Sequence, residues 1–117
     1  MKFYSINPFT EEKWQTFEGH SLEQVNQKLE QATRAQKKWK NFSFAERKKC
    51  MMRLAHGLRR KKKEYAELMT QEMGKPFSQS VGEVEKCAWT CEHFAENAEK
   101  YLQPIFVKTD ARKSYVC

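Results

Sequence analysis

A chain of 117 residues has the length of one domain, and this chain carries a formal net charge of +7. Hydrophobic residues make up 39% of it and charged residues 32%, a balance that excludes global disorder. No apolar run approaches the ~18 residues of a membrane span, and residues 1–8 lack the apolar core of a signal peptide. We therefore expect a cytoplasmic protein without membrane association, whose cysteines are reduced thiols.

The first twenty residues predict a β-hairpin. Apolar residues alternate weakly from Phe3 to Ile6 and again at Trp14 and Phe17, on either side of a polar stretch at 7–12. This pattern is typical of two short strands joined by a turn.

A first helix is predicted to begin at Ser21. Gln24 lies three residues on and can bond the Ser21 backbone amide, which makes the pair a capping box. The apolar residues that follow recur at close to 3.6 residues and form one stripe: Leu22, Val25, Leu29, Ala32 and Trp39.

A second capping box, Ser43 with Glu46, follows a break at 40–42. Apolar residues at helical spacing indicate that this second helix continues, or stops and resumes, as far as Met73: Met51, Leu54, Ala55, Leu58, Tyr65, Leu68 and Met69. Gly74 and Pro76 predict its end, because glycine adopts the left-handed conformation readily and proline cannot extend a helix.

A third helix is predicted from about Ser78 to Leu102, and short strands at 105–107 and 114–117. The apolar stripe of that helix recurs at three and four residues: Val81, Val84, Ala88, Cys91, Ala95, Ala98 and Leu102. The predicted fold is mainly α with short β-strands: an N-terminal hairpin, about three helices, and one or more strands at the C-terminal end.

The stretch Glu72-Met73-Gly74-Lys75-Pro76, with 66–71 before it and Gly82-Glu83-Val84-Glu85 after it, resembles the aldehyde dehydrogenase superfamily. Within the superfamily it is most similar to succinate-semialdehyde dehydrogenases. The segment 5–10 resembles the family's opening Asn-Pro-x-Thr-Gly-Glu, and 44–47 with 53–55 resemble its second helix. One departure is Glu11, which stands where the family usually has glycine and would resist the positive backbone angle that glycine permits.

The resemblance implies that residues 1–117 are a single N-terminal segment of an α/β aldehyde dehydrogenase subunit, from which the cofactor and catalytic domains are absent. In the family, a complete subunit oxidises an aldehyde to a carboxylic acid by thiolate attack, hydride transfer to NAD or NADP, and hydrolysis of the thioester. The implied partners are the rest of the subunit and, in the complete enzyme, further identical subunits.

The sequence predicts that this segment alone is inactive and binds no dinucleotide. Its only glycines stand at 19, 57, 74 and 82, and they form no phosphate-cradling cluster. The family's nucleophile lies in a Gly-Gln-x-Cys context, which surrounds none of the cysteines at 50, 87, 91 and 117. No catalytic or cofactor-binding residue is therefore assigned.

A metal site is also implied by the resemblance. Many relatives hold a structural sodium or potassium ion with backbone oxygens before the Asn-Pro turn and a carboxylate before Gly-Lys. The matching residues are Ser5, Ile6 and Glu72. Two carbonyls and a carboxylate suit a hard monovalent cation, whereas the alternative is that Glu72 only caps or pairs near a helix end.

Cys87 and Cys91 are four residues apart, near His93, which raises the question of a metal or redox site. One helix supplies few convergent ligands, so we interpret both cysteines as small core residues.

Two hypotheses from other classes stand beside the dehydrogenase one. The basic groups at 37–40, 47–49 and 59–63 could follow a phosphate backbone, although a solvated helix face explains them better and we expect no nucleic-acid partner. The chain could instead dock on complete relatives.

A detached segment would expose an apolar surface, either at Leu22, Val25 and Leu29 or at Val84, Ala88 and Cys91.

Overall fold

The computed structural model describes residues 1–116, and within them it is mainly helical, as the sequence predicts. The elements in chain order are β1 (Lys2–Ile6), β2 (Lys13–Glu18), α1 (Leu22–Trp39), α2 (Phe44–Arg60), α3 (Lys62–Met73), α4 (Phe77–Tyr101), β3 (Ile105–Phe106) and β4 (Tyr115–Val116). β1 pairs with β2 and β3 with β4, both antiparallel. Cys117, the last residue of the predicted final strand, lies outside the described residues.

The predicted N-terminal hairpin is confirmed, and its turn is held by Asn7. The Asn7 Oδ1 accepts bonds from the backbone amides of Phe9 at 2.9 Å and Thr10 at 3.3 Å, which is the usual way in which asparagine stabilises a turn. Glu11 has φ 60°, so it holds the left-handed conformation in which the family usually places glycine.

Both predicted capping boxes are present. The Ser21 backbone amide donates to Gln24 at 2.8 Å and the Gln24 amide donates to the Ser21 hydroxyl at 3.2 Å. The Ser43 amide donates to the Glu46 carboxylate at 2.8 Å, with the return bond at 3.3 Å. These reciprocal bonds satisfy amides that have no partner within a helix, and they fix where α1 and α2 begin.

The second predicted helix is two helices, so residues 1–116 form four helices where about three were expected. Lys61, at φ −103° and ψ 18°, separates α2 from α3. It lies inside the run Arg59–Lys63, where like charges three and four residues apart disfavour a continuous helix. No glycine or proline marks this break, so the sequence left open whether the helix continued or resumed.

Gly74 ends α3 as predicted, with φ 65° and its amide donating to the Thr70 carbonyl at 2.9 Å. Pro76 then precedes α4, which packs against both α2 and α3. The buried residues at this packing are small: Ala55, Ala66, Ser80, Val84 and Ala88. Small side chains let the helix axes approach closely, and the Thr70 and Ser80 hydroxyls share a bond of 3.1 Å there.

The chain is extended, with a radius of gyration of 20.6 Å and extents of 66 × 40 × 27 Å. A compact domain of this length has a radius of gyration of about 13 Å. The accessible surface is 10025 Å², whereas a folded monomer of this size exposes about 6,700 Å². About 3,300 Å² is therefore exposed beyond the usual amount, which is roughly twice a standard protein interface.

The two predicted locations of an exposed apolar surface have different outcomes. Leu22 and Leu29 on α1 are 77% and 60% exposed, and α1 has no buried residue. Val84 and Ala88 are only 3% and 0% exposed, so that alternative is wrong. Their side of α4 is covered because α2 and α3 pack against α4.

Candidate functional site

The turn of the hairpin lies against the end of α3. A Cβ added to Gly74 would lie 3.0 Å from Cγ of Pro8, so these two residues are in close contact. Ser5 and Ile6 come just before this turn, and Glu72 comes just before Gly74. The fold therefore brings together the two chain segments from which the predicted cation ligands come.

Glu72 is a half-buried carboxylate in an unfavourable place for a negative charge. It lies in the last turn of α3, where no basic residue stands and where the helix dipole is negative. Within residues 1–116 it forms no salt bridge, and nearby Lys75 is paired with Glu83. A bound cation near this carboxylate would offset the negative end of the helix dipole and would supply the positive partner that Glu72 lacks.

The strand side of this junction carries an irregularity. The register of the hairpin shifts between Ser5, opposite Gln15, and Ile6, opposite Lys13, so Trp14 is the additional residue of a bulge. Ser5 is only 8% exposed, and its Oγ and the Trp14 Nε1 have no hydrogen-bond partner in the described chain. The strands next to the turn thus carry two buried polar atoms without a protein partner, which is unusual for buried polar groups.

The predicted ligands at Ser5, Ile6 and Glu72 suit a hard cation better than a transition metal. Among residues 1–116, no three His, Cys, Asp or Glu side chains converge to hold a metal ion. Backbone carbonyls together with one carboxylate are the oxygen ligands that alkali and alkaline-earth cations take.

A second charged cluster joins the α2–α3 break to α4. The Arg59 guanidinium donates to both Glu92 oxygens and, at 3.1 Å, to Glu85, which also pairs with Lys62 at 2.6 Å. The bonds from Glu92 and Glu85 raise the pKa of Arg59. Bonds from Lys62 and Arg59 lower the pKa of Glu85, and the bond from Arg59 lowers the pKa of Glu92.

Sequence reasoning missed this cluster, because its members are 23 to 33 residues apart. The one available signal was acidic residues on α4 at spacings that return to the same side of a helix. The cluster also changes the meaning of the basic run at 59–63, since Lys61 pairs with Glu64 and Lys63 with Glu67. Four of its five cations are therefore partly neutralised within the chain, which disfavours a polyanion site there.

The cysteine pair differs from the core interpretation given above. Cys91 is half-buried at the edge of the α4 packing, but Cys87 is exposed, and both thiols are free. They line one open groove with Lys75, Glu83 and Lys86. His93 lies elsewhere, because its Nε2 bonds the Tyr101 hydroxyl at 2.9 Å and its ring contacts those of Trp89 and Phe94.

Comparison with known proteins decides the family. The model of the aldehyde dehydrogenase family matches residues 1–117. This chain belongs to the aldehyde dehydrogenase family. The resemblance stated from the sequence is thereby confirmed, including the likeness to succinate-semialdehyde dehydrogenases.

Two curated relatives illustrate the match. The chain is 40% identical over 116 residues to the probable succinate-semialdehyde dehydrogenase (NADP(+)) of Synechocystis sp., covering 99% of this chain and 26% of that protein. It is 35% identical over 104 residues to an aldehyde dehydrogenase of Paenarthrobacter nicotinovorans, covering 89% of this chain and 23% of that one. The chain thus spans about a quarter of the length of these relatives.

A solved structure of the same family shows the same fold. Succinic semialdehyde dehydrogenase from Streptococcus pyogenes, in complex with NADP+, superposes with a TM-score of 0.85 at 34% identity. The match covers 97% of this chain and 25% of that one. The extended arrangement of helices and two-stranded sheets is therefore that of a family segment. Within the described chain, no helix is long and apolar enough to cross a membrane.

Proposed function

We propose that this chain acts as the N-terminal segment of an NAD(P)-dependent aldehyde dehydrogenase that oxidises succinate semialdehyde, or a similar aldehyde, to its carboxylic acid. The match of residues 1–117 to the family, with a fold shared over 97% of the chain, carries this proposal. The names of the Synechocystis and Streptococcus proteins give both the aldehyde and NADP, and nothing in the described residues favours a different activity.

The segment's own contribution would be structural. In this proposal α1 and the two-stranded sheets β1–β2 and β3–β4 are covered by the cofactor and catalytic domains, which would bury the excess exposed surface of about 3,300 Å². The nucleophilic cysteine, the activating glutamate and the dinucleotide loop would be supplied by those domains. We accordingly assign no reacting group to this chain, and we expect it to bind neither NAD nor NADP by itself.

The nucleotide sequence downstream of the Cys117 codon tests the proposal directly. Translation in three frames should give a dehydrogenase continuation with a dinucleotide-binding loop and a nucleophilic cysteine. A verified stop codon without such a continuation in any frame would contradict it.

A fusion protein tests whether the segment can perform its structural role. Residues 1–117 would replace the matching segment of the Synechocystis relative, and NADP+ reduction would be measured with succinate semialdehyde. We expect activity comparable to the unmodified relative, and none when the segment is deleted. A soluble, folded fusion without activity would count against the proposal.

We further propose that Ser5, Ile6 and Glu72 bind a sodium or potassium ion. The Ser5 and Ile6 carbonyl oxygens and the Glu72 carboxylate would be the ligands, and the ion would fix the hairpin turn against α3. The Pro8–Gly74 contact, the unpaired Glu72 at the helix end and the buried, unpartnered Ser5 Oγ support this site.

Thermal unfolding in sodium, potassium and choline chloride at equal ionic strength tests the cation site. A cation at ten times its Kd should stabilise the chain by about 1.4 kcal/mol relative to choline. Glu72→Gln should abolish this difference, whereas Glu67→Gln, the same change on an exposed residue of α3, should keep it. Equal stability of the native chain in all three salts would exclude the site.

The remaining parts of the proposal concern assembly and location. We propose that the complete enzyme is a homo-oligomer and that it is cytoplasmic, as the family resemblance and the sequence composition suggest. Size-exclusion chromatography with light scattering on the complete enzyme would show the first, and a monomer would contradict it.

A further inference from the structure

We propose that Cys87 and Cys91 form a two-thiolate site for a soft monovalent cation of the Cu(I) class. This site is separate from the proposed cation site at the hairpin and does not depend on the dehydrogenase function. It rests on the spacing of the two thiols, on the groove that they share and on the charges in that groove.

The spacing suits a bridging ion rather than a disulfide. Residues four apart in α4 have Cβ atoms about 5–6 Å apart on the same side of the helix. A disulfide needs Cβ atoms about 3.5–4.5 Å apart, so its formation between Cys87 and Cys91 would distort the helix. An ion between the two sulfur atoms spans the longer distance without that distortion, and both thiols are free.

The number of ligands selects the type of ion. Zinc in structural sites takes four ligands, and no three His, Cys, Asp or Glu side chains converge anywhere in residues 1–116. Two thiolates with no third protein ligand suit a soft ion that accepts two ligands, and thiolate ligands select Cu(I).

The groove gives access and compensates charge. Both cysteines line an open groove together with Lys75, Gly82, Glu83 and Lys86. Gly82 stands inside α4, and a Cβ there would meet no atom within 4 Å, so the groove beside it is open space. Cys87 is exposed, which gives an ion a path from solvent.

Binding would release the two thiol protons to solvent and form two copper–sulfur bonds, leaving a bis-thiolate complex of charge −1. Lys75 and Glu83 already neutralise each other through their ion pair. Lys86 forms no salt bridge in the described chain and lines the same groove, so its ammonium would balance the complex. The occupied groove is then neutral overall.

Anaerobic titration of the reduced 117-residue chain with Cu(I), in competition with a chromophoric Cu(I) chelator, tests the site. We expect each chain to bind one Cu(I) tightly enough that the chelator does not remove it. Cys87→Ser and Cys91→Ser should each weaken copper binding by more than about 100-fold. Loss of a residue that only supports a metal ligand lowers affinity by about 10–100-fold, and loss of the ligand itself should cost more. Cys50→Ser and Cys117→Ser are the matched controls and should bind as the native chain does.

Three results would overturn the site. The first is that the chelator removes all copper from the native chain. The second is that Cys50→Ser or Cys117→Ser weakens binding as much as Cys87→Ser, which would mean that other thiols hold the ion. Circular dichroism of each variant confirms that α4 is intact, and light scattering shows whether copper joins two chains. Copper bound only between two chains would also contradict the intrachain site.

Discussion

At the scale of single residues, the hairpin turn shows a side chain in a conformation that it does not favour. Glu11 holds φ 60°, the only positive φ among the described residues other than glycine. The turn therefore holds a left-handed residue although the glycine of the family motif is absent. The bonds that Asn7 accepts from Phe9 and Thr10, and the Glu11 amide bond to the Asn7 carbonyl at 2.8 Å, hold Glu11 in place.

Glu11→Gly should stabilise the hairpin by about 1 kcal/mol, because a non-glycine residue in this conformation costs about 1–2 kcal/mol and glycine loses part of that gain through unfolded-state entropy. Hydrogen exchange of the β1 and β2 amides would measure it. Gly74→Ala should have the opposite effect on the hairpin, because the φ of Gly74 is 65° and Pro8 Cγ is 3.0 Å from the added Cβ. The β1 and β2 amides should then be less protected from exchange. Unchanged exchange in both variants would show that neither angle is maintained in solution.

At the scale of elements, the two capping boxes are alike in chemistry but differ in what they support. α1 has no buried residue, whereas α2 packs on α4 through Ala55. The helix that stands alone depends on local bonds and propensity, and the packed helix depends mainly on burial.

Ser21→Ala should destabilise α1, and Ser43→Ala should destabilise α2, each by about 1 kcal/mol. The two losses should have different effects on the rest of the chain. Ser21→Ala should increase exchange of the α1 amides and leave α2, α3 and α4 unchanged. Ser43→Ala should lower the urea midpoint of the unit formed by α2, α3 and α4. Global unfolding by both substitutions would contradict the independence of α1.

The Arg59 cluster makes the packing of α2 on α4 sensitive to acid. The pKa values of Glu85 and Glu92 are lowered in the folded chain, so their contribution is present above their unfolded pKa and is lost as the pH falls through the folded values. The urea midpoint should therefore decrease from about pH 5 downward, since free glutamate titrates at about 4.3.

Glu92→Gln should lower the midpoint at neutral pH and flatten its decrease in acid, because one member of the cluster no longer titrates. Glu96→Gln is the matched control on the same helix, since Glu96 forms no salt bridge in residues 1–116. An acid profile that Glu92→Gln leaves unaltered would show that the cluster does not carry the pH dependence.

At the scale of the whole molecule, extension and exposed apolar surface go together. The radius of gyration of 20.6 Å reflects a unit of α2, α3 and α4 from which α1 and the two-stranded sheets β1–β2 and β3–β4 project. Relatives of about four times this length share the fold of the segment. In isolation, surfaces of this size bind to each other or to apolar dyes.

The isolated chain should therefore self-associate through α1. Leu29→Lys, which places a charge in the exposed stripe of α1, should reduce association and dye binding. Gln31→Lys adds the same charge on the opposite side of α1 and should have little effect. Sedimentation velocity across a range of concentrations measures both, and equal behaviour of the two variants would place the associating surface elsewhere.

The sequence by itself determined the features that depend on neighbouring residues. The capping boxes at Ser21 and Ser43, the end of α3 at Gly74 and the strands of the hairpin are set by bonds within about four residues, so their patterns are readable in order. The family was also readable, because its motifs are colinear along the chain.

Only the tertiary structure decided the features that join distant residues. It placed Pro8 against Gly74 and assembled Arg59 with Glu85 and Glu92. It also chose which apolar stripe is covered: Val84 and Ala88 are buried, whereas Leu22 and Leu29 are not. The physical reason is that periodicity shows that a helix has an apolar side, but the element that covers that side depends on packing between segments far apart in sequence.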